Sequence, residues 1–484
     1  MKNLIILVSY LLLITPFSTA FATEPPYLRM STLNLWSGIK SQNLFDQLVS
    51  SNPLYVFSSP FRDTAVLTPT NIQSIHASLP QTKVVLHLLC CTLFDNQTIE
   101  SIPIKVHAGL QNTQQEFTAM WSNHRNAFMK NSSGDYVYYH IARVGEYWTD
   151  PGDGYLMDPA NPHYQELLYN KIKQYIVTGE YDGVYLDLMY PTFMQAFYFS
   201  KPIVNGNPIT RDQWNSKLIS LSQYLQNRRK NDPNSRMKNA IIFTNSVGGG
   251  PGDSNDPVDR VQFNRDLQTQ GVQIENPFQD YRTLTANSWL AQVNRIRDIS
   301  ALNNKQLSGW INYHGAELFP SQEECDQHGL FAYASYLLAN QSPNFAFSFG
   351  CRLAAGVNNA PSQNLTHLRL GSPLAPYQLL NSGLYIREFT NGFALVNIAS
   401  SALNYKPNTN LQNAYSSTTY PPNTNITLPA KTGLVLLKNA PSSLPGDFNL
   451  DGSVNLLDYN LLKADFGTTY NLLDYNTLRS HWGR

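Results

Sequence analysis

Two acidic residues close apolar, strand-like segments of this sequence. Residues 181–187 read Tyr-Asp-Gly-Val-Tyr-Leu-Asp, and residues 271–276 read Gly-Val-Gln-Ile-Glu-Asn. A carboxylate at the end of an apolar strand costs free energy unless it is paired or functional. Hydrolysis of a glycosidic bond needs two carboxylates, one to protonate the leaving oxygen and one to attack carbon or activate water. Asp187 and Glu275 are therefore the candidate catalytic pair, with a loop anchor (Asp187) and a helix cap or ion pair (Glu275) as the alternatives.

Other polar and aromatic residues could contact a sugar near these acids. Asn245 ends the strand-like segment 241–245, and it either binds substrate or satisfies a turn. Aromatic rings near predicted strand ends or in a long insertion could stack on sugar rings, although such rings also serve as packing. The candidates are Trp36, Trp148, Tyr190 and Trp310.

A second chemistry is encoded in residues 447–458, which read Asp-Phe-Asn-Leu-Asp-Gly-Ser-Val-Asn-Leu-Leu-Asp. Side-chain oxygens occupy loop positions 1, 3, 5, 9 and 12, and a glycine occupies position 6, which is the arrangement of a calcium-binding loop. The predicted ligands are Asp447, Asn449, Asp451, Asn455 and Asp458. The alternative is a surface turn rich in Asp and Asn.

The elements that must position the acids alternate between strands and helices from about residue 27 to 350. The predicted strands are Tyr27–Asn34, Leu54–Ser59, Lys83–Leu89, Asp182–Met189, Asn239–Asn245, Gly271–Asn276, Leu307–Tyr313 and Asn344–Phe349. Eight such units predict an α/β fold, a (β/α)8 TIM barrel, with an open sheet as the alternative. Function in a barrel sits at the carboxyl ends of the strands, where Asp187 and Glu275 lie, while Asp182 lies at the opposite end.

The remaining chain divides by composition. We predict a signal peptide over residues 1–22, a barrel over 23–360, a small antiparallel β-sandwich over 361–440, a linker over 441–446 and a calcium module over 447–484. The apolar N-terminal run is short for a membrane span, so cleavage and secretion are expected, with an uncleaved anchor as the alternative. Helical predictions include 70–79, 162–177, 211–230, 281–303 and 322–340.

Composition narrows the function further. Lys plus Arg equals Asp plus Glu at 34 each, which argues against nucleic-acid binding. Charged residues are 14% and aromatic residues 12% of the chain, a balance typical of extracellular proteins that handle neutral polar ligands. The pairing of Cys90, Cys91, Cys325 and Cys351 stays open. The histidines show no ligand-like spacing, which disfavours a metal-dependent deacetylase.

At the level of families, residues 181–187, 274–276 and 385–397 resemble secreted TIM-barrel glycoside hydrolases of unassigned specificity. A more distant resemblance, through the Asp-Gly-Val-x-Leu-Asp strand, is to endo-α-1,4-polygalactosaminidase-type barrels. By analogy with retaining α-glycosidases, the resemblance implies that Asp187 is the nucleophile and Glu275 the acid/base. The rival hypothesis is a non-catalytic carbohydrate-binding or cell-surface scaffold protein with a decayed barrel.

The C-terminal segment resembles a dockerin type I repeat, because its loop ends in Asp and carries Asn at position 9. The stretch 454–460 recurs as 470–476, without a second calcium loop in front. This resemblance implies structural Ca²⁺ and a cohesin-like or cell-surface partner.

Overall fold

A computed structural model describes most of the chain. It covers residues 54–58, 67–95, 112–139, 154–193, 198, 200–247, 259–275, 277–278, 282–302, 321–349, 370–416, 418–438, 446, 454–463 and 474–483, and the backbone alone at 34–35, 141–143, 146–148, 308–319, 350–353, 358–359, 464 and 472–473. The predicted signal peptide lies outside the described residues, as does the linker except for Gly446.

The centre of the fold is a curled sheet of nine strands. Its first eight strands are parallel and adjacent in chain order, and the ninth is an antiparallel edge strand. They are β1 Asn34–Leu35, β2 Tyr55–Ser58, β3 Lys83–Leu89, β4 Gly183–Asp187, β5 Ile241–Asn245, β6 Gly271–Glu275, β7 Ser308–Phe319, β8 Phe345–Leu353 and β9 Asn358–Asn359. Seven of the eight predicted strands are present, and β7 and β8 run farther than predicted. The predicted strand Tyr27–Asn34 meets β1 at Asn34, and the rest of it lies outside the described residues.

Aromatic contacts across the sheet show how strongly it curls. The ring centroids of Phe57 on β2 and Phe243 on β5 lie 5.5 Å apart, although two strands separate β2 from β5. The Tyr55 hydroxyl also donates to the carbonyl of Asn344, next to β8, at 2.9 Å. A flat sheet could not make either contact, so the inner face encloses its own small aromatic core.

Helices cover the outer face of this sheet, where near-continuous apolar strands bury their other side. They are α1 Pro69–Ser78, α2 Gln114–Asn123, α3 Pro162–Val177, α4 Arg211–Asn231, α5 Ser235–Asn239, α6 Arg260–Leu267, α7 Ala286–Ser300 and α8 Gln322–Ala339. Their starts follow from capping: Thr68, Thr113 and Thr210 each form a capping box, and Asn161 caps α3 ahead of Pro162. No helix of the described ranges combines the length and apolarity needed to cross a bilayer.

The insertion between β3 and β4 adds short elements over the sheet. Strands Thr92–Phe94, Tyr138–Tyr139 and Gly154–Leu156 form a three-stranded antiparallel sheet, and Ile141–Arg143 pairs with Glu146–Trp148. A further hairpin, Ile203–Val204 with Asn207–Pro208, precedes α4, and a 3-10 turn spans Arg125–Ala127.

A six-stranded antiparallel sheet follows the barrel-like region. Its strands are β10 Gln378–Asn381, β11 Leu384–Phe389, β12 Gly392–Asn397, β13 Leu411–Asn413, β14 Thr419–Tyr420 and β15 Thr432–Lys438, in the order β10-β11-β12-β15-β13-β14. The small strand pair Leu403–Tyr405 and Ile426–Leu428 packs on one face. The other face packs against α7 and α8. The sheet-on-sheet packing that the sequence predicts is therefore found on one face, and helices cover the other.

Two contacts fix this sheet to α8. Arg387 on β11 is buried and donates to the carbonyls of Leu337, Leu338 and Asn340 at the end of the helix, at 3.0, 3.2 and 2.6 Å. Gly433 on β15 approaches the helix so closely that a Cβ there would lie 2.5 Å from the carbonyl oxygen of Leu330.

Two further helices form the C-terminal pair, α9 Leu456–Ala464 and α10 Leu472–His481. Val454, Leu462 and Leu478 make a small buried core between them. The duplicated sequence therefore folds as two packed helices.

Candidate active site

Four polar side chains meet at the carboxyl ends of four neighbouring strands. His87 lies near the end of β3, and Asp187, Asn245 and Glu275 are the last residues of β4, β5 and β6. Side chains alternate across a strand, so Asp187 shares a face with Tyr185 and Asn245 shares a face with Phe243, both residues of the aromatic core. Glu275 shares its face with the buried Gln273. The structure thus brings together the two acids that the sequence singled out.

The two oxygens of Asp187 have different partners. Oδ1 accepts from the backbone N–H of Leu188 at 2.7 Å, from Asn245 Nδ2 at 2.9 Å and from the Tyr185 hydroxyl at 3.4 Å. Oδ2 bonds to His87 Nε2 at 3.1 Å. Leu188 has a left-handed backbone (φ 63°), which costs a non-glycine residue about 1 kcal/mol.

Glu275 is bound from two sides. Its Oε2 accepts from the Tyr190 hydroxyl at 2.8 Å and from Asn245 Nδ2 at 2.8 Å. Tyr190 is itself fixed, because the indole N–H of Trp214 on α4 donates to its backbone carbonyl at 3.1 Å. The acid on β6 is therefore positioned by residues from β5 and from the loop after β4.

Asn245 connects the two acids through one atom. Its Nδ2 lies 2.9 Å from Asp187 Oδ1 and 2.8 Å from Glu275 Oε2, so these oxygens are no farther apart than the sum of the two distances. The same nitrogen lies 2.9 Å from the Tyr190 hydroxyl. The nitrogen of this amide must face the acids, because the amide oxygen accepts hydrogen bonds and cannot donate to the two carboxyl oxygens.

The surroundings set the protonation states of the site. Burial alone raises the pKa of Asp187, but hydrogen bonding and charge from His87, followed by the bonds from Asn245 and Leu188, outweigh it and lower that pKa below its usual value. Burial and the neighbouring carboxylates raise the pKa values of Tyr185 and Tyr190 well above the usual value. Asp187 is therefore an anion at neutral pH, and both tyrosines remain hydrogen-bond donors.

The insertion contributes to the same region. Burial, followed by the charge of Asp187, raises the pKa of Tyr139 well above its usual value, so its hydroxyl stays protonated. Tyr139 packs against Tyr198 with ring centroids 5.6 Å apart. Together with Tyr185 and Tyr190, these rings line the surroundings of Asp187 with neutral polar groups.

Sequence reasoning missed His87 and Tyr139. His87 interrupts the apolar run Lys83–Leu89, and its position two residues before the end of β3 was the signal that could have identified it. Tyr139 belongs to an insertion without periodic patterning, so only the fold reveals its position.

Two of the predicted substrate contacts, Asn245 and Tyr190, lie beside the candidate acids. Each of them donates a hydrogen bond to a carboxylate. Trp36 lies outside the described residues. The backbone places Trp148 in the insertion hairpin and pairs Trp310 on β7 with Gln273 on β6, and their side chains are not described.

The cysteine pairing that the sequence left open is partly resolved. Cys90 and Cys91 form a disulfide between neighbouring residues directly after β3, and Cys325 is also disulfide-bonded. The N–H of Cys90 donates to the carbonyl of Asp187 at 2.9 Å, and the N–H of Cys91 donates to the Tyr164 hydroxyl at 2.7 Å. This buried turn therefore supports the backbone of the candidate nucleophile.

The predicted calcium loop is only partly described. Asp447, Asn449 and Asp451 lie outside the described residues. Asp458 is fully buried at the start of α9, and its Oδ2 accepts from the N–H of Asn455 at 2.8 Å. Within the described residues, no group of three or more His, Cys, Asp or Glu side chains could hold a metal ion.

Sequence comparison identifies a family. A family model described as "Hypothetical glycosyl hydrolase family 15" matches residues 76–393, well over half of the 484-residue chain. The matched region contains His87, Asp187, Asn245 and Glu275. A search of the curated proteins found no significant match.

Solved structures offer only remote similarity. A noncanonic maltogenic alpha-amylase from Thermotoga neapolitana has 9% identity and a TM-score of 0.46, over 85% of this chain and 97% of its own. Amy13B of Eubacterium rectale has 10% identity and a TM-score of 0.47, over 82% and 90%. A GH31 family sulfoquinovosidase from E. rectale has 11% identity and a TM-score of 0.46, over 86% of this chain and 62% of its own. Scores at this level assign neither substrate nor mechanism.

Proposed function

This chain belongs to the hypothetical glycosyl hydrolase family 15, and from that membership we propose that it is a glycoside hydrolase acting on an extracellular polysaccharide. The observation that carries the proposal is the shared contact of Asn245 with Asp187 and Glu275, which fixes two carboxylates side by side at one sheet edge. Two acids flanking one bond are the machinery of glycoside hydrolysis.

The separation of the acids favours retention of configuration. Retaining enzymes place their carboxyl groups about 5–5.5 Å apart, and inverting enzymes about 6.5–9.5 Å apart. The Asn245 contacts limit the distance between the two bonded oxygens to the sum of 2.9 and 2.8 Å, which supports the closer, retaining arrangement. We therefore assign Asp187 as the nucleophile and Glu275 as the acid/base.

The reaction then proceeds in two steps. A carboxylate oxygen of Asp187 forms a bond to the anomeric carbon while the glycosidic C–O bond breaks and Glu275 gives its proton to the leaving oxygen. Water next attacks the same carbon, gives its proton to Glu275, and the bond to Asp187 breaks. The lowered pKa of Asp187 supplies the anion that the first step requires.

The curl of the sheet supports a closed (β/α)8 barrel as part of the proposal. The Tyr55–Asn344 bond brings β2 to the start of β8. Closure would place every strand end around one mouth, which is where barrel enzymes bind substrate.

A panel of polysaccharides, scored by release of reducing sugar, tests the activity. Asp187→Asn and Glu275→Gln should each abolish turnover while leaving thermal unfolding nearly unchanged. Asp182→Asn is the matched control, because Asp182 precedes the same strand at its other end, where it bonds to His76 at 2.7 Å and to the N–H of Val84 at 2.8 Å. Glycan binding without turnover by the intact chain would support the scaffold alternative, and full turnover by either acid variant would refute its assigned role.

For the C-terminal helices we propose a calcium site that stabilises a secreted protein and serves a cohesin-like or surface partner. The buried carboxylate of Asp458 at the start of α9 fits the last ligand of the loop, since a buried charge needs a strong counterpart. Asp447, Asn449, Asp451 and Asn455 would complete the oxygen ligands, and bound Ca²⁺ would join the loop to α9.

A calcium titration of the full chain tests this site. Millimolar calcium should raise the unfolding temperature of the wild type and not that of Asp458→Asn. Asp474→Asn is the matched control, because Asp474 holds the equivalent place in the repeat that lacks a loop, and it should respond like the wild type. A wild type indifferent to calcium would end the proposal.

A further inference from the structure

The strand β4 has a histidine–aspartate contact at each end. His76 on α1 bonds to Asp182 just before the strand at 2.7 Å, and His87 on β3 bonds to Asp187 at its last residue at 3.1 Å. Only the second contact lies at the candidate active site. His87 is also nearly buried, at 6% exposure, and its ring packs on Tyr185 with centroids 4.9 Å apart. A histidine held this tightly has one orientation relative to the carboxylate.

The two oxygens of Asp187 differ in their capacity to react. Oδ1 has three donors: the Leu188 N–H, Asn245 Nδ2 and the Tyr185 hydroxyl. Oδ2 has His87 Nε2 as its one partner among the described residues. An oxygen whose lone pairs are engaged by three donors is a poor nucleophile, because those bonds would have to weaken as its charge moves to carbon. Oδ2 therefore has fewer hydrogen bonds to give up than Oδ1.

We infer that His87 is a positioning residue of the proposed reaction, which orients Asp187 so that Oδ2 attacks the anomeric carbon and stabilises that oxygen when the bond breaks again. This inference rests on the proposed function. When water displaces the sugar from Asp187, negative charge returns to Oδ2, and the His87 N–H is the donor that meets it there. Charge-assisted hydrogen bonds of this kind are the strong ones.

Charge around the pair supports the same role. Besides the pair itself, the described titratable groups that interact electrostatically in this region are Tyr185 on β4, Glu275 on β6, Tyr190 after β4, Tyr139 from the insertion and Tyr198. All of them are acids, so none of them supplies a positive charge in place of His87. Although burial raises the pKa of Asp187, the His87 contact is the largest influence that lowers it. Loss of His87 should therefore raise that pKa.

The pH dependence of kcat/KM in the full chain tests the role. Asp187 must be an anion to react. Because His87→Gln should raise the pKa of Asp187, the kcat/KM of this variant should begin to fall at a higher pH than that of the wild type as the solution becomes more acidic. His87→Ala should in addition lower kcat/KM on the order of 10²-fold, the cost of a misplaced reacting group. His76→Gln, the matched control at the other end of β4, should leave the acid side of the profile unchanged. Superimposable acid limbs for wild type and His87→Gln would overturn the inference.

A double-mutant cycle on thermal unfolding tests the contact without any substrate. The variants are His87→Ala, Asp187→Ala and the two combined, because truncation to alanine removes the contact that an isosteric amide could keep. If the two residues are coupled, the melting temperature of the combined variant should fall by less than the sum of the two single decreases. Strictly additive decreases would overturn the inference. If no glycan is cleaved by the wild type, the proposed function fails while this cycle still decides whether His87 positions Asp187.

Discussion

Replacing Asn245 with alanine removes the one atom that bonds to both acids. The Nδ2 contacts at 2.9 Å to Asp187 and 2.8 Å to Glu275 disappear, and the backbone of β5 is unchanged. A hydrogen bond to a charged group contributes about 1.5–3 kcal/mol. The two contacts do not count equally toward the rate, because the charges of the two acids change in opposite directions during the first step.

The change in charge on each acid determines how much kcat/KM should fall. In the proposed first step Glu275 releases its proton and becomes an anion, so its bond to Asn245 strengthens in the transition state. Asp187 loses charge to carbon, so its bond weakens. Only interactions that are stronger in the transition state accelerate the step. The loss in kcat/KM should thus reflect mainly the Glu275 contact, about 1.5–3 kcal/mol, or roughly 10- to 150-fold.

The assay compares kcat/KM and thermal unfolding on the best substrate of the polysaccharide panel. Asn264→Ala is the matched control, since Asn264 on α6 is also buried and bonds to Ser246 near the end of β5, at 2.5 Å, and not to either acid. Both variants should lose comparable stability, and only Asn245→Ala should lose activity. A folded Asn245→Ala protein with kcat/KM within about twofold of the wild type would refute the reasoning, because a difference of 1.4 kcal/mol already amounts to tenfold.

Three further substitutions have expected outcomes. Tyr190→Phe removes the hydroxyl that bonds to Glu275 at 2.8 Å and should lower kcat/KM about tenfold at unchanged stability, so an unaltered rate would remove the hydroxyl from the mechanism. Arg387→Met leaves three carbonyls at the end of α8 without their donor and should cost about 3–5 kcal/mol in chemical denaturation; a cost below about 1 kcal/mol would contradict that role. Gly433→Ala places a Cβ against the backbone of α8 and should cost about 1–3 kcal/mol by the same measurement, whereas a neutral result would show that strand and helix separate readily.

Local patterning in the sequence was enough to locate the strands and both acids. Near-continuous apolar runs marked the buried parallel strands, and the alternation of side chains put Asp187 and Glu275 at strand ends. The helix Pro162–Val177 was predicted with its observed bounds, because Asn161 and Pro162 form a clear start. The predicted start of α7 at residue 281 was too early, since Thr285 caps the helix through the N–H of Ser288.

Contacts between strands could not be read from the sequence. The bridging role of Asn245 depends on β5 lying between β4 and β6 and on the rotamer of one amide. His87 reaches Asp187 only because β3 and β4 pair with Leu89 opposite Asp187. The short helix α6 escaped prediction as well, because its eight residues carry too little periodicity.

The packing of β11 and β15 against α8 limits where the chain can be truncated. Arg387 bonds to the carbonyls at the end of α8, and Trp289 on α7 packs on Tyr385 with ring centroids 4.7 Å apart, so α7, α8 and the six-stranded sheet share one apolar interior. A protein trimmed after β9 would expose that interior to water and leave the end of α8 without its donor. We therefore expect the two sheets to unfold in a single cooperative transition.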